Sequence, residues 1–193
     1  MAILSPLTEA LLSNMILDNT VFYTKTSTRT INDVTIYSNN YEYSNIRAWL
    51  NGYDGTSYNV DNYTNKGFIN IAFTEEERKL INTTLVDTSL ASTGDSSNSY
   101  ICNNTNDKIY LLSYAEARNI SNRQATVSDY ARSKYCFMST DSSYYGNGLW
   151  WLRSPYYNLN YTARVVDDYG YIYYDSVHYS YSGVRAALEI TIE

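Results

Sequence analysis

The sequence predicts an α+β domain, with short helices in the first two thirds and a small antiparallel sheet in the last. Three observations carry this expectation. Helix-start devices recur at Ser44, Thr74 and Ser113, each ahead of a stretch too short for a long helix. Apolar runs bounded by turn residues gather after position 149. Between the elements lie long stretches of Ser, Thr, Asn, Asp and Gly, residues 52–65 and 89–106, which read as surface loops. A chain of 193 residues, 44% hydrophobic and 18% charged, can bury one core and is too aromatic for disorder. One domain spanning 1–193 is therefore expected.

Residues 9–17 (EALLSNMIL) form an apolar run short enough for a buried strand, although its pattern also allows a helix. Ser44 caps a helix through Leu50, and Asn51-Gly52 ends it. Thr74 and Glu77 have capping-box spacing, and the acidic first turn Glu75-Glu76-Glu77 suits the helix dipole. Residues 108–112 (KIYLL) read as a strand, after which Ser113 and Glu116 repeat the capping box. Strands follow at 149–153, 161–167, 170–175 and 183–191, with Asp168-Tyr169-Gly170 turning the chain between the middle pair. Tyr171 and Tyr173 flank Ile172 as a one-sided strand requires. The pairs Val165-Val166 and Tyr173-Tyr174 break that alternation and predict a bulge or strand end near each.

Composition excludes several function classes. A net charge of −6 argues against a nucleic-acid partner, because phosphate binding needs a basic face. No apolar run reaches the length of a membrane span, so no membrane insertion is expected. The first residues lack a basic region and place Pro6 and Glu9 inside the apolar part, so no signal peptide is visible. Cys102 and Cys136 are too few for a disulfide framework and wrongly spaced for zinc; they read as buried or half-buried thiols. The sole histidine, His178, has no partner of catalytic type beside it in sequence. Asp167-Asp168 reads as turn chemistry beside Gly170, since calcium takes about six or more oxygens from several segments. Trp49, Trp150 and Trp151 read as core, and Arg153 and Arg185 as partners of buried acceptors. No catalytic residue, metal site or cofactor is expected.

What remains is residues 156–182, YYNLNYTARVVDDYGYIYYDSVHYSYS, where nine of 27 positions are Tyr. A Tyr/Ser/Asn surface between two apolar segments has the chemistry of an antibody paratope. Tyr gives a large amphipathic contact with few rotatable bonds, and Ser and Asn give adaptable hydrogen bonds. Such an aromatic patch is too large to be an incidental product of β propensity. The expected ligand-binding residues are Tyr156, Tyr157, Asn158, Asn160, Tyr161, Asp168, Tyr169, Tyr171, Tyr173, Tyr174, Ser176, His178, Tyr179, Ser180 and Tyr181.

WWLRSP at 150–155, followed by GVRAAL at 183–188, resembles the C-terminal signature of a bacterial and phage domain family. That family has the C-type-lectin-like fold in its formylglycine-generating-enzyme-related form. NIRAWLNG at 45–52, the stretch from Phe68 to Ile81 and DKIYLLSYAEA at 107–117 extend the resemblance over nearly the whole chain. One departure is Ala186, where the family usually has Pro. The resemblance implies short helices around a small antiparallel sheet with long surface loops. It also implies kinship with the variable proteins of diversity-generating retroelements, in which a reverse transcriptase rewrites adenine-containing codons. Rewriting AAC or AAT codons cannot yield Lys, Glu, Gln, Met or Trp. Residues 156–182 contain none of these, although they make up 20 of the other 166 residues. On this resemblance Ala163, Val165, Val166, Gly170, Ile172 and Val177 would stay fixed in core or turn, while the residues between them face solvent and vary.

Three functions follow. The first is a diversified module that binds a protein or cell-surface ligand from a phage tail (virion) or a bacterial cell surface. A second keeps the fold but makes it a fixed adhesin or glycan-binding module. The third is enzymatic, by analogy with formylglycine-generating enzymes, and is disfavoured because Cys102 and Cys136 fall in unrelated positions.

Overall fold

In the computed structural model, residues 15–18 and 20–191 are described. The centre of the molecule is a three-stranded antiparallel sheet built by the last third of the chain. Its strands are β8 (Trp150–Pro155), β9 (Thr162–Val166) and β10 (Ile172–Ser176), with β9 in the middle and β10 at an edge. Side chains alternate across a strand, and here both faces are covered. Trp150, Leu152 and Val166 join one apolar cluster with Ile16, Val127 and Ala131. Trp151, Ala163 and Val165 join the other, with Phe22, Tyr41, Ile46 and Leu50. A strand buried on two faces carries apolar residues consecutively. Val165-Val166 therefore marks burial on both sides, and of the two alternatives expected there, bulge or strand end, it is the strand end: β9 stops at Val166.

Pairing of β9 with β10 runs unbroken from Ile172 opposite Val166 to Ser176 opposite Thr162, so Tyr173-Tyr174 marks no bulge either. On this edge strand Tyr173 is exposed and Tyr174 half-buried, with their rings stacked 4.8 Å apart. The irregularity lies instead in β8, between Trp151 and Pro155. There the Arg153 amide turns away from β9 and donates to the Leu112 carbonyl at 2.9 Å.

The earlier chain packs around this sheet. Residues 9–14 of the first expected strand lie outside the described residues. Met15–Ile16 form β1, parallel to β7 (Thr126–Val127). A hairpin joins β2 (Arg29–Ile31) to β3 (Val34–Ile36), and β4 (Thr84–Val86) pairs antiparallel with β5 (Thr105–Asp107) across a long connection. The strand expected at 183–191 is divided. Gly183 bridges Trp150 in parallel, and β11 (Ala186–Leu188) pairs antiparallel with β6 (Ile109–Leu111). Ala186 thus opens a strand.

Helices begin where the caps are. Helix α1 (Asn45–Asn51) starts at Ser44, whose hydroxyl accepts the Arg47 amide, and ends at Gly52 with φ 68°. After α2 (Phe68–Ala72), both capping boxes are complete: Thr74 with Glu77 opens α3 (Glu75–Leu80), and Ser113 with Glu116 opens α5 (Tyr114–Arg118). The two expected loops contain a 3-10 turn (Thr56–Tyr58) and α4 (Leu90–Thr93). Helix α6 (Asp129–Ser133) is capped by Ser128. The architecture is α+β, with small antiparallel sheets and short helices.

Buried arginines tie the layers together. Arg153 donates to the carbonyls of Asp87 and Leu111 and to both carboxylate oxygens of Glu116. Arg47 on α1 holds Asp107 at the end of β5 at 2.9 Å. Arg185 lies over the Trp150 ring, 4.8 Å from its centroid. Trp150 Nε1 donates to the Arg123 carbonyl, whereas Trp151 Nε1 finds no acceptor among the described residues.

Candidate functional surface

Residues 156–182 run along β9, β10 and the turns that flank them, so their side chains divide between core and solvent. Ala163, Val165, Val166 and Val177 are buried, Ile172 is half-buried against the core, and Gly170 makes the turn at φ 88°. Between them Tyr157, Asn158, Tyr161, Tyr169, Tyr171, Tyr173, His178, Tyr179, Ser180 and Tyr181 are exposed, while Tyr156, Asn160 and Tyr174 are half-buried. Tyr171 and Tyr173 are 69% and 60% exposed, a costly placement for large rings unless something covers them.

Two of the fifteen expected surface residues are instead buried. Asp168 is tucked into the turn, where its carbonyl accepts from Asn147 Nδ2 at 3.2 Å. Ser176 closes β10 with its hydroxyl 2.7 Å from His178 Nδ1. Both belong to the support of the surface. Asp167 confirms the turn reading: its Oδ1 accepts the amides of Tyr169 and Tyr171 at 3.1 and 2.8 Å. Burial nevertheless raises the Asp167 carboxyl above its ordinary value.

The exposed rings are not independent. Tyr156 and Tyr174 stack with centroids 3.9 Å apart and planes within 8°, and Tyr173 and Tyr157 extend the row at either end. Arg164 lies between Tyr156 and Tyr114, 4.8 and 4.9 Å from their centroids, and is tethered by Asp95 at 3.3 Å. A second group stacks Tyr179 on Tyr181 at 5.1 Å, with His178 against Tyr179. Burial raises the Asp175 carboxyl, while the Tyr181 hydroxyl that it binds pulls it down. Burial and Asp175 together push the Tyr181 phenol well up. Rings locked against one another in this way lose little freedom when they bind.

Residues outside 156–182 extend the surface. Asp95, Ser96 and Ser97 form a groove of about 410 Å3 with Tyr157. Ser121–Gln124 form another of about 310 Å3 with Tyr169, Gly170 and Tyr171. The loop after α6 touches the segment twice. The Phe137 amide donates to the Tyr181 carbonyl at 2.9 Å, and the Tyr144 ring packs 4.6 Å from that of Tyr169. A cleft of about 500 Å3 lies elsewhere, between the β2–β3 hairpin and residues 99–103, and includes none of the Tyr-rich segment. The sequence reading missed Arg164, Tyr135, Phe137 and Tyr144. Only the Tyr144-Tyr145-Gly146 composition, like that of the segment itself, signalled the neighbouring loop.

The cysteines lie in different surroundings. Cys102 packs against the Trp151 cluster and Cys136 belongs to the Trp150 cluster. Burial raises both thiols, Cys136 to about 12, so each is protonated at neutral pH. No helix among the described residues is long and apolar enough to cross a membrane.

Fold and surface together define an α+β domain that carries an aromatic, hydroxyl-rich face on a sheet buried on both sides. The chain belongs to the family described as a domain of unknown function, DUF6273, whose model matches residues 9–192. No curated protein matches it, and no solved structure does.

Proposed function

We propose that this chain is a ligand-binding module of C-type-lectin-like fold, not an enzyme, whose Tyr-rich face recognises a protein or cell-surface target. On this reading the segment 156–182 is diversified by a retroelement, and the module is displayed on a phage tail or a bacterial surface. The observation that carries it is the division within the segment. Residues that hold the fold are buried, while the tyrosines between them are exposed on strand β10 and its turns. Substitution at the exposed positions would then change the surface without changing the core. A fixed glycan-binding module is the other reading. The Tyr156–Tyr174–Tyr173 row weighs against it, because rings stacked face to face present edges and hydroxyls rather than free faces to a sugar.

The test uses peptides selected on the wild-type domain from a random displayed library, alongside an array of defined glycans. Tyr171→Ala, Tyr173→Ala and Tyr179→Ala combined should weaken the selected peptides by about 30-fold or more. Tm should be unchanged. Binding that survives the triple substitution defeats the paratope reading, and glycan binding without peptide binding favours the alternative. A reverse transcriptase gene and a template repeat of 156–182 beside the locus would support diversification.

A further inference from the structure

The geometry points to a second, separate half of the binding surface in residues 135–145, with an arginine-rich protein segment as the partner that the two halves fit. This rests on the binding reading above and adds to it a contact outside the Tyr-rich segment and a ligand chemistry.

Tyr135 carries the first part. Helix α6 ends in a Schellman arrangement: the Cys136 amide donates to the Ala131 carbonyl and the Tyr135 amide to that of Arg132, each at 3.0 Å. The position between helix and exit must be left-handed, and Tyr135 occupies it at φ 68°. Glycine is the usual occupant, because a side chain there crowds the backbone. Tyr135 is also 89% exposed, so its ring returns almost no packing to the fold. A bulky aromatic held in a strained backbone position and left in water is explained by a contact outside the chain.

Position supplies the second part. The next residues are bound to the Tyr-rich segment, since Cys136 Sγ and the Phe137 amide both donate to the Tyr181 carbonyl. Phe137 and Tyr145 are exposed, and Tyr144 packs on Tyr169. The loop therefore borders both the Tyr179–Tyr181 stack and the Asp167–Gly170 turn.

Charge selects the partner. Apart from the buried Asp168, residues 129–147 and 167–182 hold Asp129, Asp141, Asp167 and Asp175 against Arg132 and Lys134, and Arg123 donates to the Gly170 carbonyl beside them. The Asp141, Asp167 and Asp175 carboxylates accept backbone amides of their own turns. Carboxylates among exposed tyrosine rings suit guanidinium, which stacks on aromatic faces and pairs with carboxylate oxygens better than ammonium does. The chain uses this chemistry internally: Arg29 lies 4.0 Å over the Tyr23 ring, and Arg164 lies between two tyrosines.

The experiment titrates the whole domain with nona-arginine at low salt, following amide chemical shifts, with nona-lysine as the equal-charge control. Shifts should gather in 135–145 and 169–181, and nona-arginine should bind about three-fold or more tighter than nona-lysine. Tyr135→Gly should raise Tm by about 2–4 °C by relieving the backbone, yet weaken nona-arginine by about three-fold. If Tyr135→Gly leaves affinity unchanged while Tyr173→Ala lowers it, the second half is refuted and the Tyr-rich surface stands. Equal binding of the two peptides, or shifts scattered away from both segments, refutes the arginine partner without touching the peptide-selection result.

Discussion

Replacing Arg153 with Met keeps an unbranched stem of similar reach and removes the guanidinium. Arg153 is 2% exposed and its side chain makes five hydrogen bonds: Nε and Nη2 to the Asp87 carbonyl at 3.0 and 2.9 Å, Nη1 to the Leu111 carbonyl at 2.6 Å, and Nη1 and Nη2 to the Glu116 carboxylate at 2.5 and 3.0 Å. Removing one side of a buried, hydrogen-bonded charge pair costs about 3–5 kcal/mol, because the groups left behind lose their partner in a dry site. Asp87 is exposed and the Glu116 side chain is 45% exposed, so water recovers part of the loss. The low end, about 3 kcal/mol, is therefore expected. For a domain of this size that lowers Tm by about 6–12 °C. Urea unfolding followed by tryptophan fluorescence, with calorimetry, measures it, and a loss below about 1 kcal/mol at unchanged m would refute the account. Burial raises the Glu116 carboxyl, but the Arg153 bonds and charge and the Ser113 amide outweigh it and hold it below its ordinary 4.5. A depressed carboxyl contributes stability that is fully present above its unfolded value and is lost as pH falls through the folded one. The wild type should therefore lose this contribution below about pH 4.5, and Glu116→Gln should remove that dependence.

Two further substitutions test the framework. Gly183→Ala places a methyl 2.0 Å from Ile16 Cγ2 and 3.2 Å from Cys136 Sγ, so it should destabilise by about 1–3 kcal/mol in the same urea assay; an unchanged midpoint would mean that β1 does not pack here. Asp107→Asn leaves the buried Arg47 charge without its counter-ion and disturbs the bonds from Thr105 at 2.6 Å and Tyr53 at 3.1 Å. It should cost about 3–5 kcal/mol by calorimetric Tm, and a shift of under about 2 °C would count against a structural role for this pair.

Local signals were legible wherever one residue decides the outcome. Ser44, Thr74 and Ser113 start helices because each hydroxyl accepts an otherwise unpaired amide. Asp168-Tyr169-Gly170 turns because Gly170 takes φ 88° without strain. Pairing was less legible, since it depends on what covers each face. Val165-Val166 does stand at the end of β9, but it breaks the alternation because both faces are covered, which only the second cluster reveals. Residues 183–191 read as one strand, yet part bonds Trp150 and part bonds β6, a choice made by partners distant in sequence. Asp168 and Ser176 were misplaced for a similar reason. Polar residues in a tyrosine-rich run look solvated until the Asn147 bond to the Asp168 carbonyl and the His178 contact with the Ser176 hydroxyl appear.

The position of β10 explains how one strand can serve both fold and surface. Its partner β9 takes the buried load: Ala163, Val165 and Val166 lie between two apolar clusters, and the unbroken register fixes where every β10 side chain points. Backbone pairing does not depend on side-chain identity, so Tyr171 and Tyr173 are held in place by hydrogen bonds that any residue except proline would make. Stability and recognition are then separable along this strand, one residential in β9 and the other in the exposed rings of β10. Tyr135 extends the same logic to a helix end, where a Schellman cap fixes the backbone and leaves the ring to project. In both places the framework closes its own hydrogen bonds first. The aromatic groups left over are rigid because of that closure, which lowers the entropy that a ligand must remove on binding.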